Sequence, residues 1–152
     1  MLSVLSPEYF MKVALQQAER AMEEGEVPIG AVVVCKGKII AKAWNQTERL
    51  KDVTAHAEML AITSASNELQ TKFLDDCELY VTLEPCPMCA SALYWARFGK
   101  LYFAASDQKR GMGQIKSPLL HPKTKVFKGL LSNESEDLLH RFFDNLRSSK
   151  NN

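Results

Sequence analysis

The sequence lacks several features that would place it in a specialised class of protein. No apolar run approaches the roughly 20 residues that a membrane-spanning helix needs, so no membrane association is expected. The segment from Met1 to Ser6 has neither a basic stretch nor a long apolar one, so no signal peptide is expected. Only four cysteines occur among 152 residues, too few for a disulfide-rich scaffold. There is also no internal repeat and no low-complexity tract.

The composition is ordinary for a globular protein. Hydrophobic residues make up 46% of the chain and charged residues 24%, which excludes an intrinsically disordered chain. The length suits one domain with one sizeable core, so a single domain over residues 1–152 is expected. Without an export signal, the expected location is the cytoplasm, where cysteines stay reduced.

Hydrophobic periodicity predicts elements in the order α-β-β-α-β-α-β-β-α. Ser6 and Pro7 suit the start of a helix and Gly25 suits its end, while Lys36-Gly37 predicts a hairpin turn and Thr54 a helix cap. This order predicts an α/β protein of three layers, in which a mixed sheet of about five strands carries helices on both faces. The predicted elements after the first helix are strands 29–35 and 38–44, helix 55–69, strand 78–83, helix 87–97, strands 100–105 and 125–130, and helix 134–147.

Two short motifs at predicted helix starts carry most of the chemical information. The first places Glu58 two residues after His56, and the second is a Pro-Cys-x-x-Cys segment containing Cys86 and Cys89. Residues three apart share one face of a helix, so both thiols can reach one metal ion. The unpaired N–H groups and dipole of a helix N-terminus also stabilise thiolates. Pro87 suits the first turn, where its missing N–H is not needed.

A third ligand from His56 would complete a catalytic type of zinc site. Two thiolates and one imidazole leave the fourth tetrahedral position for water, whereas structural zinc has four protein ligands. The two thiolates neutralise the ion, so its water would need a base to lose a proton near pH 7. Glu58 could accept that proton and deliver it to the substrate. The motifs therefore predict a hydrolase with one Zn²⁺ per chain.

Spacing alone leaves other interpretations open. The Cys-x-x-Cys pair could be a redox pair, or could belong to a structural zinc site completed by His56 and by Cys35 or Cys77. His56 could also be a buried structural histidine, and Glu58 a surface carboxylate. The order His-x-Glu followed by Pro-Cys-x-x-Cys is the signature of zinc-dependent base deaminases, which favours a catalytic site over a non-catalytic zinc module.

Positive charge is concentrated in one segment. Residues 97–128 contain eight basic residues and one acidic residue, Asp107, although the whole chain carries a net charge of only +1. Such a segment could be a solvated lysine-rich face, or it could face the phosphates of a nucleic acid.

Segments along nearly the whole chain match the pattern of one enzyme family. These segments are 25–34, Asn45, 54–59, 79–90, the Asp107-x-Lys109-x-Gly111 loop, 129–131 and 142–147. From about Tyr9 to Arg147 the chain resembles the bacterial tRNA adenosine deaminases of the cytidine deaminase superfamily. The resemblance implies a cytidine deaminase-like fold, a homodimer, and hydrolytic conversion of adenosine to inosine at the wobble position of a tRNA anticodon. The target base would be flipped out of the single-stranded loop of an anticodon stem-loop into the zinc pocket.

The resemblance also implies roles for individual residues. His56, Cys86 and Cys89 would bind zinc, and Glu58 would transfer protons. Asn45 would hydrogen bond to the base or ribose of the substrate. The remaining expected substrate contacts are Val27, Pro28, Ala57, Asp107, Lys109, Phe143 and Arg147.

Three short stretches depart from the family pattern. Residues 52–54 replace Asp-Pro-Thr with Asp-Val-Thr, residues 89–92 replace Cys-Ala-Gly-Ala with Cys-Ala-Ser-Ala, and His121-Pro122 replaces an Asn-His pair. Residues 92–97 resemble bacterial guanine deaminases, which act on a free base. The main alternative is therefore a free-base or nucleoside deaminase acting on guanine or cytosine, which would need the zinc site but not the basic surface.

Overall fold

A computed structural model describes residues 5–151. The expectations of a single domain and of no signal peptide also concern residues 1–4 and 152, which lie outside this range. Among the helices of the described range, none is both long enough and apolar enough to cross a bilayer. The elements are α1 (Pro7–Glu23), β1 (Gly30–Cys35), β2 (Lys38–Trp44), α2 (Thr47–Leu50), α3 (Ala57–Leu69), β3 (Cys77–Leu83), α4 (Pro87–Ala96), β4 (Lys100–Ala105), a 3₁₀ turn (Met112–Gln114), β5 (Lys125–Lys128) and α5 (Ser132–Asn151).

The five strands form one mixed sheet in the order β2-β1-β3-β4-β5. The hairpin partner β2 and the central strand β3 both run antiparallel to β1. The pairs β3–β4 and β4–β5 are parallel, each with a crossover connection. The mixed five-stranded sheet predicted from the sequence is therefore confirmed.

Alternation along the strands divides the core between the two faces of the sheet. Val33 and Leu79 point to one face and pack with the small residues of α3 and with α4. Val32 and Tyr80 point to the other face and pack against α1. Leu138 of α5 packs beside α1 on that same face. The period of two along each strand thus buries both faces and produces the three-layer arrangement that was predicted.

The first helix is defined by its start and by a tight contact with the sheet. The Oγ of Ser6 accepts a hydrogen bond of 3.1 Å from the N–H of Tyr9, and Pro7 is the first helical residue. The helix then lies so close to β1 that a Cβ on Gly30 would be 2.1 Å from the carbonyl oxygen of Ala14. Glycine is therefore required where the sheet begins under α1.

The predicted cap of the α3 helix was wrong. Thr54 does not cap it, because its N–H and its hydroxyl both donate to the Oδ1 of Asp52, at 2.8 and 2.7 Å. This local turn uses the Thr54 side chain before the helix begins. The N-cap is His56, in an extended conformation, and the first helical residue is Ala57.

Some short elements and boundaries also differ from the prediction. The four-residue α2 and the 3₁₀ turn were not predicted, since neither is long enough to show hydrophobic periodicity. The helix α4 ends one residue early because Arg97 adopts a left-handed conformation, with φ of 61°. The last strand ends at Lys128, before Gly129 with φ of 93°.

The topology gathers chemically active segments at one edge of the sheet. Since β3 and β4 are parallel, the loops that follow them meet at their shared carboxyl edge. The segment before α3 reaches the same region, where the N–H of Gln46 donates to the carbonyl of Ala55 at 3.0 Å. Both sequence motifs are thereby placed within reach of each other.

Candidate active site

The two sequence motifs meet although they are far apart in the chain. The Nδ1 of His56 lies 3.7 Å from the Sγ of Cys86 and 3.4 Å from the Sγ of Cys89. The three ligand atoms all lie within 4.8 Å of one another. In a tetrahedral site with ordinary zinc–nitrogen and zinc–sulfur bonds, such atoms are about 3.6 Å apart. The three side chains therefore fit a single zinc ion.

Two helix starts position these ligands. His56 is the N-cap of α3 and Cys86 is the N-cap of α4, so both precede helices whose N-termini point toward the site. Cys89 follows in the first turn of α4, where the three-residue spacing returns its side chain to the face of Cys86. Pro87 occupies the first helical position, as predicted.

The two thiols differ sharply in acidity. Hydrogen bonds from Cys89 and then from His56 lower the pKa of Cys86 to about 4, against the effect of burial. The hydrogen bond to Cys86, together with burial, raises the pKa of Cys89. The same contact with Cys86 raises the pKa of His56. Cys86 is thus available as a thiolate. A bound metal ion would displace the protons that Cys86 shares with Cys89 and His56.

Glu58 lies beside this cluster and away from water. Only 4% of its surface is exposed, and its carboxyl group accepts a hydrogen bond from the thiol of Cys89. Burial raises the pKa of Glu58, partly offset by hydrogen bonding and by the charge of His56. A carboxyl group in this environment can exchange a proton with a neighbouring water or substrate more readily than an exposed one. It is therefore a buried carboxylate at the cluster rather than a surface residue.

The fourth ligand of a structural zinc site is not supplied by Cys35 or Cys77. Cys77 begins β3, whereas Cys86 follows the opposite end of that strand. A seven-residue strand spans about 20 Å, so these thiols are far too distant to share an ion. Within residues 5–151, the metal-binding set consists of His56, Cys86 and Cys89. The structural-zinc interpretation built on the other cysteines is therefore wrong.

Asn45 and the segment before β1 lie close to the segment that leads into α3. Asn45 is 5% exposed, and its Nδ2 donates to the carbonyl of Val27 at 3.4 Å. Its Oδ1 has no hydrogen-bond partner among the described residues. Pro28 is buried beside half-buried Val27, and Ala57 is fully buried at the start of α3. Asn45 is one residue from the hydrogen bond that joins Gln46 to the segment before His56.

The side chain of Asp107 forms hydrogen bonds within its own loop. Its Oδ1 accepts hydrogen bonds from the N–H groups of Lys109 and Arg110, at 3.1 and 3.0 Å. The N–H of Asp107 donates to Glu84, immediately before the Pro-Cys-x-x-Cys motif. Lys109 is exposed at the surface of the same loop. The carboxylate of Asp107 thus shapes the loop, and Lys109 is one of the residues that the loop presents to solvent.

The C-terminal candidates lie on α5 and do not belong to the metal-binding cluster. Phe143 is 40% exposed and packs edge-on against Phe142. Arg147 is exposed and forms an ion pair with Asp144 on the same helix. Both side chains are accessible to a large partner, but the described contacts do not link them to His56.

The basic segment is spread over several elements rather than one helix face. Arg97 stacks over the ring of Phe73 at 4.2 Å, and Lys100 pairs with Glu78 at 3.4 Å. His121 accepts a hydrogen bond from the N–H of Lys123, and its ring lies beside Tyr94. The exposed basic residues of this segment, besides Arg97, are Lys109, Arg110, Lys116, Lys123, Lys125 and Lys128.

Sequence reasoning missed two buried carboxylates next to these segments. Glu84 accepts N–H groups from the loop after β4, and Glu26 accepts N–H groups from α2. Both are at most 9% exposed. The available signal was an acidic residue at the border of a mostly apolar strand, directly after Leu83 in one case and shortly before Gly30 in the other.

Comparison with known proteins agrees with this geometry. The cytidine and deoxycytidylate deaminase zinc-binding region matches residues 5–105. The chain is 49% identical over 150 residues to a tRNA-specific adenosine deaminase of Aquifex aeolicus, covering 95% of this chain and 99% of that protein. A structure from a study of A-to-I editing by tRNA:A34 deaminases superposes with a TM-score of 0.82 at 44% identity, covering 86% of this chain and 99% of the other.

A guanine deaminase is also similar, over a smaller part of the chain. The structure of the enzyme from Bacillus subtilis matches with a TM-score of 0.64 at 44% identity, covering 66% of this chain and 65% of that one. The shared core is the zinc-binding deaminase domain. The fold, the zinc-binding motif and these matches together show that the chain belongs to the cytidine and deoxycytidylate deaminase family of zinc-binding enzymes.

Proposed function

We propose that this protein deaminates adenosine to inosine at the wobble position of a tRNA anticodon. The observation that carries the proposal is the buried Glu58 beside a three-ligand zinc cluster, in a chain that matches a tRNA-specific adenosine deaminase over 95% of its length. The reaction consumes water and releases ammonia, as the C6–N6 bond of adenine breaks and a C6–O bond forms.

The residues of the cluster divide the chemistry between them. His56, Cys86 and Cys89 would hold a zinc ion, which would lower the pKa of the water that attacks the base. Glu58 would take one proton from that water and pass it to the purine ring, and would then carry the proton of the new C6 hydroxyl to the leaving amine. Its burial supports this role, because a raised pKa brings the carboxyl closer to the pH at which it can both take up and release protons.

The surrounding residues suit a flipped-out nucleotide. The unpartnered Oδ1 of Asn45 can accept a hydrogen bond from the base or ribose, while Val27, Pro28 and Ala57 supply apolar walls. We further propose that the flanking anticodon nucleotides contact Asp107, Lys109, Phe143 and Arg147. A single-stranded loop can offer such contacts only after its bases unstack, which favours aromatic and basic partners.

The decisive experiment offers three substrates to the zinc-loaded protein in parallel. An adenosine-containing anticodon stem-loop should yield inosine, whereas free guanine should yield no xanthine and cytidine no uridine. Glu58→Ala should give no product on any of them. Xanthine or uridine as the main product would replace the tRNA proposal with the free-base or nucleoside alternative.

Salt dependence gives an independent test of the RNA substrate. The affinity for the stem-loop should fall more than about tenfold between 50 and 200 mM salt, because at least three phosphate contacts would release counterions. Replacing Lys123 and Lys125 by alanine should flatten this dependence, whereas Lys12→Ala on α1 should not. A flat response in the unmodified protein would argue against a nucleic acid.

Guanine is the second candidate substrate because a specific similarity favours it. The guanine deaminase of Bacillus subtilis shares 44% identity over its matched region, and residues 92–97 resemble that group of enzymes. Its match covers only 66% of this chain, and a guanine deaminase of Nitrosomonas europaea that covers 90% is only 27% identical, whereas the tRNA-specific enzyme is 49% identical and covers 95%. The wobble adenosine is therefore the first choice.

We also propose a homodimer and a cytoplasmic location. The outward face of α4 exposes 37% of Tyr94 and 74% of Trp95, an apolar pair that a second copy could cover. Trp95→Glu should then shift the sedimentation velocity from that of a dimer to that of a monomer. The cytoplasm is proposed because the two metal-binding thiols require a reducing compartment.

A further inference from the structure

Glu84 is a buried carboxylate to which neither of the two sequence motifs gives a role. It is 9% exposed, and the ion pairs among the described residues do not include it. Its oxygens are satisfied by backbone instead: Oε1 accepts the N–H of Asp107 at 2.9 Å and Oε2 accepts the N–H of Gly113 at 2.8 Å. A buried carboxylate without such donors would be costly, so these two bonds hold the side chain and the loop together.

Further contacts join the same two segments. The N–H of Glu84 donates to the carbonyl of Ala105, and the N–H of Met112 donates to the carbonyl of Pro85, each at 2.8 Å. At Gly111, an added Cβ would lie 2.5 Å from the Cδ of Glu84. The added Cβ would also lie 2.6 Å from the carbonyl oxygen of Asp107, so close packing against Glu84 and Asp107 requires glycine here, whereas its φ of −69° is open to any residue.

We propose that Glu84 is a positioning residue that sets the Asp107–Gly113 loop relative to the zinc-binding start of α4. Cys86 follows Glu84 by two residues, so one short turn after β3 both presents a zinc ligand and anchors the loop. The inference rests on the proposed function, since the loop carries Lys109, a proposed RNA contact. A loosened loop should therefore weaken substrate binding more than it slows the chemical step.

Glu26 provides a matched control on the opposite side of the site. It is 1% exposed, and its oxygens accept the N–H groups of Glu48 and Arg49 at 3.0 and 2.8 Å. Like Glu84, it is a buried carboxylate that holds backbone N–H groups of a neighbouring segment. It differs in holding α2 instead of the loop after β4, so the same substitution should perturb a different segment.

The test is Glu84→Gln in the zinc-loaded protein. Glutamine keeps the shape but directs an NH₂ group at one of the two N–H donors, which removes one hydrogen bond. Hydrogen exchange at the amides of Asp107 and Gly113 should accelerate by about tenfold or more, while zinc content stays at that of the unmodified protein. The KM for the stem-loop should rise by about tenfold with kcat changed much less. Glu26→Gln should accelerate exchange in α2 and leave the Gly113 amide unchanged.

Gly111→Ala disturbs the contact between Gly111 and Glu84 from the side of the loop. The added methyl group should displace the loop from Glu84 and reproduce the exchange and KM effects without altering the carboxylate. Both changes disturb the contact between Gly111 and Glu84, although the methyl group also meets the carbonyl of Asp107, so the effect of the double variant should be smaller than the sum of the two single effects. Additive effects would contradict the proposal.

Two other outcomes would overturn it. Unchanged exchange at Gly113 in Glu84→Gln would show that the carboxylate does not hold the loop. Loss of zinc in that variant would show that Glu84 supports the metal centre and not the loop. Exchange and zinc content are measured without RNA, so they test this role even if the unmodified protein produces no inosine, the result that would refute the proposed function.

Discussion

The four cysteines form two pairs that differ in almost every chemical respect. Cys86 and Cys89 lie in the first turn of a helix beside His56, and hydrogen bonds lower the pKa of Cys86 to about 4. Cys35 and Cys77 face each other across the antiparallel strands β1 and β3. Burial and the contact with Cys35 raise the pKa of Cys77 to about 12. The position of a thiol in the secondary structure thus decides whether it is available as a thiolate.

Neighbouring groups explain the difference between the pairs. The helix start supplies N–H groups, a positive dipole end and an imidazole, all of which favour a negative sulfur. The paired strands supply a second thiol and the carboxylates of Asp75 and Asp76, which disfavour it. Among the residues that the structure describes, only the first pair has a third ligand within reach. The comparison predicts one pair that binds metal and one that contributes only to packing.

The largest expected effect is the loss of metal from Cys86→Ala. Removing one of three protein ligands should lower zinc affinity by more than about a hundredfold and abolish turnover. Metal analysis after dialysis against a weak chelator measures this directly. The matched control is Cys35→Ala, which should retain zinc because its thiol lies at the far end of the sheet. Equal zinc loss in both variants would contradict the conclusion that only the pair Cys86 and Cys89 binds metal.

Glu58→Gln tests whether Glu58 binds zinc itself or only transfers protons beside the zinc ligands. Turnover should fall by about 10²- to 10⁴-fold because glutamine cannot accept the proton, while zinc content should remain unchanged. Glu68→Gln is the matched control, since Glu68 is an exposed residue of the same helix. Parallel measurement of zinc content and kcat on the stem-loop checks the prediction. Loss of zinc from Glu58→Gln would instead make Glu58 part of the metal-binding set.

The raised pKa of Cys77 should be visible in how the free energy of unfolding changes at alkaline pH. Above about pH 9 the unfolded chain loses the thiol proton while the folded protein keeps it until about pH 12, so stability falls across this window. The contribution is up to about 1.4 kcal/mol per pH unit. Urea unfolding from pH 8 to 10.5 should therefore show a steeper decline in the unmodified protein than in Cys77→Ala. Identical slopes would mean that Cys77 titrates normally in the folded state.

The smallest effect concerns packing at neutral pH. Cys77 is 1% exposed, so truncation to alanine should cost about 1 kcal/mol of unfolding free energy through a small cavity. Zinc content and kcat should not change. Urea unfolding at pH 7 provides the measurement, with Cys35→Ala as the half-buried comparison that should cost less. A fall in zinc content would contradict a purely structural role for this pair.

Much of the fold could be predicted because its signals are local. The apolar, β-branched run of β1, the start of α1 at Ser6-Pro7 and the Lys36-Gly37 turn all depend on neighbouring residues. Predictions failed where a side chain had two possible local uses, as for Thr54, which bonds to Asp52 instead of capping α3. The four-residue α2 was missed because its stability comes from Glu26, a residue distant in the sequence.

The sequence by itself determined which groups could bind metal, since the spacing of Cys86 and Cys89 on a helix is a local property. The order of the two motifs also pointed to His56, but only the tertiary structure decided that Cys35 and Cys77 do not join them and that Glu84 holds the loop after β4. The physical reason is that these contacts depend on the parallel pairing of β3 with β4 and on the packing of α3 against the sheet. Strand order and long-range packing bring such residues together, and no short stretch of sequence encodes them.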